Sequence, residues 1–315
     1  MGCDAERCNR MIDNPFSSPY LVGTMWRLAV VLLSLLGWAL LRRHRNRVGR
    51  QNAIQVTKVL TAMWMAPILV IALFGGGVAL AAVIAVIALQ ALREYAQLVN
   101  LRPAYSVALL AYSFVGLVVV IVGPRYLLLA LPLGLFLVAT LIPIISGIFD
   151  DSHRQVGAAV FGYLYIGAPL TCIMLIRDAE PWGLQLLIIS GTAAALADAG
   201  GSFVGSWLGG PRLAPRISPG KTWAGAAGSL LGATAGVLSQ WFVAPVTWTL
   251  GTVVLLSLSV AVGAIWGDLI ESFVKRDFGA KDTGKILAGF GGVLDRFDSI
   301  FLAVPVSYVA FLATQ

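Results

Sequence analysis

The chain has 315 residues, of which 58% are hydrophobic and 12% charged. A soluble domain carries about twice that charged fraction, so the composition excludes a soluble globular protein and implies an integral membrane protein. The formal net charge of +7 implies no nucleic-acid partner, because basic loops that meet the anionic surface of a lipid bilayer account for it.

Taken in chain order, the polar stretch 1–20 is predicted to be a tail. Glu6 stands where an N-myristoylation motif needs Ser or Thr, and the stretch lacks the pattern of a cleaved signal peptide. Cys3, Cys8 and Cys172 are too few for a disulfide framework. The first two could pair with each other on the outer face but read better as unpaired tail residues, and the third reads as packing. A transmembrane helix needs about 20 apolar residues. Candidate runs fall at 21–41, 59–74, 76–92, 105–122, 124–146, 156–177, 183–207, 223–243, 246–272 and 293–314. The second and third are short and are separated only at Gly75–Gly77. The predicted fold is therefore all-α, a polytopic integral membrane helical bundle of about 8–10 transmembrane helices.

Most of the 22 Lys and Arg lie in alternate loops: Arg42–Lys58, Arg93–Arg102, Arg154, Arg212–Lys221 and Lys275–Lys285. The positive-inside rule puts these loops in the cytoplasm and both termini outside. Ionisable residues divide the chain by chemistry. Residues 21–154 read as a transmembrane scaffold, whose Glu94 lies at a helix end. Residues 155–315 read as a catalytic half with cytoplasmic loops 209–222 and 274–292, where acids sit in or beside apolar runs.

The first of those loops, GGPRLAPRISPGKT, cannot be a continuous helix, having three prolines and three glycines. It presents Arg212, Arg216, Ser218, Lys221 and Thr222. Hydroxyls and a lysine at a helix start suit phosphate binding, although the spacing is not that of a Walker loop. Asp198, inside ALADAGG, reads equally as a packing or water-cavity residue and as a site residue. Further on, Asp268, Glu271, Ser272 and Lys275 follow i, i+3, i+4, i+7 and share one helix face. Asp295, Asp298 and Ser299 repeat that spacing at the start of the last run. Antiparallel helices joined by the Arg276–Gly292 loop would bring Asp268 and Asp295 to one depth. Facing carboxylates repel unless a cation lies between them, and magnesium held by one or two carboxylates plus substrate phosphates fits. Lys281, Asp282 and Lys285 also read adequately as a solvated surface.

The pattern Ser272-x-x-Lys275-Arg276, Lys281-Asp282, Gly291-Gly292, Leu294-Asp295-Arg296-x-Asp298 resembles that of phosphatidate cytidylyltransferases (CDP-diacylglycerol synthases). A second stretch is also similar: Ala197-Asp198, Phe203-Val204-Gly205, Leu213-Ala214-Pro215 and Ile217-Ser218-Pro219-x-Lys221-Thr222-Trp223. The resemblance covers about Gly191–Ser299. It implies transfer of CMP from CTP to phosphatidic acid, giving CDP-diacylglycerol and pyrophosphate in phospholipid biosynthesis, at the cytoplasmic face of a bacterial inner (plasma) membrane. In that scheme Asp268 and Asp295 hold the metal, with Asp298 in support. Lys275, Arg276, Lys281 and Arg296 neutralise phosphates. Ser218, Lys221 and Thr222 bind the phosphates of one substrate. Asp198 orients a cation or a lysine, Asp282 lies on the substrate side, and Gly291 and Gly292 let the backbone approach the nucleotide. A homodimer is an open option.

The chain departs from the family pattern at three positions. Phe290 replaces a histidine, Ala288 a proline and Ala224 a glutamate. A non-catalytic or substrate-shifted homologue that binds CTP or anionic lipid therefore stays open. An ion-coupled transporter is a further alternative, since intramembrane acids also mark ion paths, though here they cluster at one edge.

Overall fold

The computed structural model describes residues 20–45, 65–123, 127–179, 181–244, 248–280 and 292–314. The tail, Cys3, Cys8, Lys281, Asp282, Lys285, Ala288, Phe290 and Gly291 lie outside the described residues. The described helices are α1 (Leu21–Arg45), α2 (Met65–Phe74), α3 (Gly76–Leu98), α4 (Pro103–Val122), α5 (Leu127–Ser146), α6 (Ser152–Arg177), α7 (Gly183–Leu208), α8 (Trp223–Ser239), α9 (Leu250–Asp277) and α10 (Leu294–Leu312). Among the described residues six helices, α3 to α7 and α9, are long and apolar enough to cross a membrane, so the protein is an all-α polytopic membrane bundle. The described residues up to Val83 belong to one compact unit, and the described residues from Ile84 form a second that carries the candidate site.

Local chemistry explains where the elements begin. Pro103 opens α4, where a missing N–H costs nothing. Thr249 and Thr252 form a reciprocal capping box on α9. Between α7 and α8, in the loop whose prolines exclude a helix, lies an antiparallel hairpin of β1 (Arg212–Ala214) and β2 (Ser218–Thr222). Arg212 pairs with Thr222 and Ala214 with Ser218. The chain enters it through Gly209 and Gly210 at φ 63° and 94°, a region that glycine adopts without a Cβ penalty. At its far end the Thr222 hydroxyl accepts the Gly225 N–H at 3.0 Å and starts α8.

Small residues bring the helices of the second unit together. A Cβ at Gly200, Gly228 or Gly232 would strike the backbone of the facing helix, so α7 and α8 pack with main chains in contact. On α9, Gly263 lies against Ala303 and Gly267 against the Asp298 carbonyl and Ser299 of α10. Gly267 thus decides which residues of α10 Asp268 can meet. Inside α6 a π-helical turn at Tyr163–Gly167 offsets the helix, and the Tyr165 hydroxyl donates to the Gly267 carbonyl at 2.9 Å. Such turns are often found at functional sites.

The basic loops of this unit gather at one end. Gln155 at the start of α6 accepts from the Arg102 N–H at 2.8 Å and donates to the Asn100 carbonyl at 3.3 Å. Arg154 stacks over the Phe278 ring, 5.2 Å from its centroid. Arg276 Nε donates to the Ile217 carbonyl of the hairpin at 3.3 Å.

Candidate active site

Three helices and the hairpin build a charged cluster at that end. Asp268 and Glu271 come from α9, one turn apart, and Asp298 from the first turns of α10. Ligand atoms of the three lie within 4.8 Å of one another. Glu271 is only 3% exposed, and its Oε1 is buried with no hydrogen-bond donor among the described residues. A buried carboxylate oxygen left without a donor is costly, and three carboxylates this close repel one another. Both features fit a divalent cation with oxygen ligands.

Two lysines brace the cluster. Lys221, at the end of β2, forms an ion pair with Asp268, which ties the hairpin to α9. Lys275 Nζ lies 2.6 Å from Glu271 Oε2 and 3.1 Å from Asp295 Oδ1, so one ammonium joins α9 to α10. Asp295 Oδ2 also accepts the Gly292 N–H at 2.9 Å. Asp298 Oδ1 accepts from the Ser299 N–H at 2.7 Å, which holds its rotamer. Arg296 lies in the field of Asp295, Asp198 and Asp298, so the acid on α7 belongs to the same neighbourhood.

The structure therefore brings together Asp198, Lys221, Asp268, Lys275, Asp295, Arg296 and Asp298, drawn from both motif stretches. The grouping differs from the expected pair. Asp298 stands with Asp268 and Glu271, while Asp295 is bound to Lys275 and the Gly292 N–H and lies beside Glu271. The Thr222 hydroxyl is occupied as the cap of α8, Ser218 is half-buried on β2, and Arg276 is an exposed tie to the hairpin.

Three participants were not among the candidates. Glu271 was visible in the i, i+3 spacing but carried no assigned role. Glu94 of α3 accepts the Leu294 N–H at 2.9 Å, bridging 200 positions of sequence; its signal was only a lone acid at the end of an apolar run. Tyr165 had no sequence signal. Tyr165→Phe should lower stability by about 1 kcal/mol, the net worth of one hydrogen bond, and thermal unfolding in detergent would measure it. An unchanged midpoint would mean that the bond to Gly267 contributes nothing.

The sequence model of the cytidylyltransferase family matches residues 56–314. The chain is similar to a phosphatidate cytidylyltransferase of Brucella suis biovar 1 (strain 1330), 41% identical over 150 residues that make up 47% of this chain and 54% of that protein. It is similar to one from Bacillus subtilis (strain 168), 36% identical over 154 residues, 49% of this chain and 57% of that protein. A third, from Mycobacterium leprae (strain TN), is 44% identical over 117 residues, 37% of each chain. The matched stretch spans about half the length of the first two relatives.

Proposed function

Since the chain belongs to the cytidylyltransferase family, we propose that it transfers CMP from CTP to phosphatidic acid, releasing pyrophosphate and forming CDP-diacylglycerol. The observation that carries this reading is the convergence of Asp268, Glu271 and Asp298 beside Lys221 and Lys275 at one end of a membrane bundle. Nucleotidyl transfer asks a protein for alignment and charge neutralisation more than for covalent chemistry. A lipid phosphate monoester is already a nucleophile. Its oxygen attacks the α-phosphorus of CTP, the bond to the β-phosphate oxygen breaks, and pyrophosphate leaves with the electron pair. No protein base is required, so phenylalanine at 290 is compatible with turnover.

Asp268, Glu271 and Asp298 are the residues that would hold Mg2+, with Asp295 fixing Lys275 beside them. A divalent cation bound there would neutralise triphosphate oxygens as charge shifts to the leaving group. Lys221, on the hairpin, is placed to exchange its carboxylate partner for a substrate phosphate. Arg296 and Arg276 add positive charge around the same volume, and Gly292 brings bare backbone to its edge. Asp198 places a negative charge near Arg296 from the α7 side.

The test is CTP-dependent conversion of labelled phosphatidate by the purified protein, with and without magnesium. Magnesium-dependent CDP-diacylglycerol and pyrophosphate in equal amounts are expected. CTP binding without product would favour a binding homologue instead.

We place the site at the cytoplasmic face of the inner membrane. The gathering of the basic loops at the site's end supports this orientation. In a background without the three native cysteines, Arg212→Cys and Asp277→Cys should react only with reagents that reach the cytoplasm. Ala179→Cys should label from outside. Labelling of Arg212→Cys and Asp277→Cys from the outer face would overturn the orientation.

A further inference from the structure

Helix α10 carries Asp295 and Asp298, yet its own N-cap position, Val293, contributes no side-chain cap. The first turn of any helix leaves backbone N–H groups without intrahelical partners. Here the Leu294 N–H is taken by Glu94 Oε2 at 2.9 Å. Glu94 comes from α3, is 1% exposed, and receives the Gln90 side-chain amide on Oε1 at 2.9 Å. A Ser, Thr or Asp side chain at the N-cap reaches the N–H of the second or third helical residue, not that of the first, so the Leu294 N–H needs an acceptor from outside its own turn. A carboxylate buried on another helix is a costly acceptor, and it ties the start of α10 to α3. The positive end of the helix dipole favours an anion at this place, and the acceptor fixes where the first turn of α10 sits.

Asp298 is four residues beyond Leu294, one helical turn along the same face. A shift of the first turn therefore carries Asp298 with it, toward or away from Asp268 and Glu271 on α9. Asp298 cannot easily compensate, because its Oδ1 is bound by the Ser299 N–H. We propose that Glu94 is a positioning residue: through the Leu294 N–H it sets α10 so that Asp298 completes the cation site with Asp268 and Glu271. The proposal rests on the cation reading of that cluster, and it makes the scaffold half of the chain part of the site. Residues that orient metal ligands from outside the ligand set alter metal affinity by about 10–100-fold when removed.

The experiment is Mn2+ titration of purified protein, followed by the loss of the free-ion electron paramagnetic resonance signal, with thermal unfolding as the check on folding. Glu94→Ala should weaken Mn2+ binding about 10-fold or more. Glu94→Gln keeps an acceptor of the same reach and should stay within about 3-fold of wild type, a rescue that a purely electrostatic role would not give. Should Glu94→Ala fail to fold, Glu94→Asp, shorter by one methylene and still charged, draws the acceptor back from Leu294 and should show the loss. A folded Ala or Asp variant that binds Mn2+ as wild type does overturns the role of Glu94 alone. A wild type that binds no Mn2+ overturns the cation site and this role together, and CTP turnover measured in parallel separates that failure from failure of the proposed reaction.

Discussion

Asp268→Asn and Asp298→Asn should each lower CMP transfer by about 10²–10⁴-fold while the protein still inserts and purifies. The residues lie within 4.8 Å of each other and of Glu271 at their ligand atoms. A bound cation supplies several kcal/mol of transition-state charge stabilisation, and each ~1.36 kcal/mol is a tenfold change in rate. Asparagine keeps the shape and one oxygen but removes the charge that holds the ion. The loss should therefore be largest at limiting magnesium and should shrink partly as magnesium rises. Asp295→Asn offers the contrast. Its carboxylate is bound to Lys275 and the Gly292 N–H, so its variant should lose stability and rate together, with little change in the magnesium dependence. If Asp295→Asn shifts the magnesium dependence and Asp298→Asn does not, the cluster named here is the wrong one.

Lys275→Met should be strongly destabilising, by about 3–5 kcal/mol, the cost of removing one partner from a buried ion network. Its ammonium bridges Glu271, 3% exposed, and Asp295, 16% exposed. Without it two carboxylates from different helices face each other with no neutralising charge. The same logic predicts recovery. In the triple variant Lys275→Met, Glu271→Gln, Asp295→Asn no charge is left stranded, and the unfolding midpoint should return most of the way to wild type. This separates two roles for the lysine. A lysine acting chiefly on substrate phosphates would leave the midpoint unchanged on replacement and raise the apparent KM for CTP.

Much of this molecule is legible along the chain, because membrane helices are dictated locally. A bilayer needs about 20 apolar residues with their backbone groups satisfied internally. The run beginning at residue 183 therefore becomes α7, and the run at 246–272 becomes α9 behind its Thr249 cap. Local phase is equally direct. Asp268, Glu271 and Lys275 share a face because 3.6 residues make a turn, and the prolines of 209–222 exclude a helix where the hairpin forms. Charge on that hairpin and on α9 already marked the end of the bundle where the site lies.

Only the tertiary structure decided which charges meet. The sequence places Asp295 and Asp298 three positions apart on α10 without saying which one faces Asp268. The answer lies in the phase between two helices, and that is set by where they touch. Gly267, with no side chain, lets α9 rest on the Asp298 carbonyl and Ser299, while Lys275, two turns further along, reaches Asp295. The Tyr165 hydroxyl holds the Gly267 carbonyl from a π-turn that no periodicity announces. Glu94 reaches Leu294 across 200 positions of sequence. Contacts of that range depend on how the helices pack side by side, a choice made by small residues and buried hydrogen bonds spread over the whole chain rather than by any segment's own pattern.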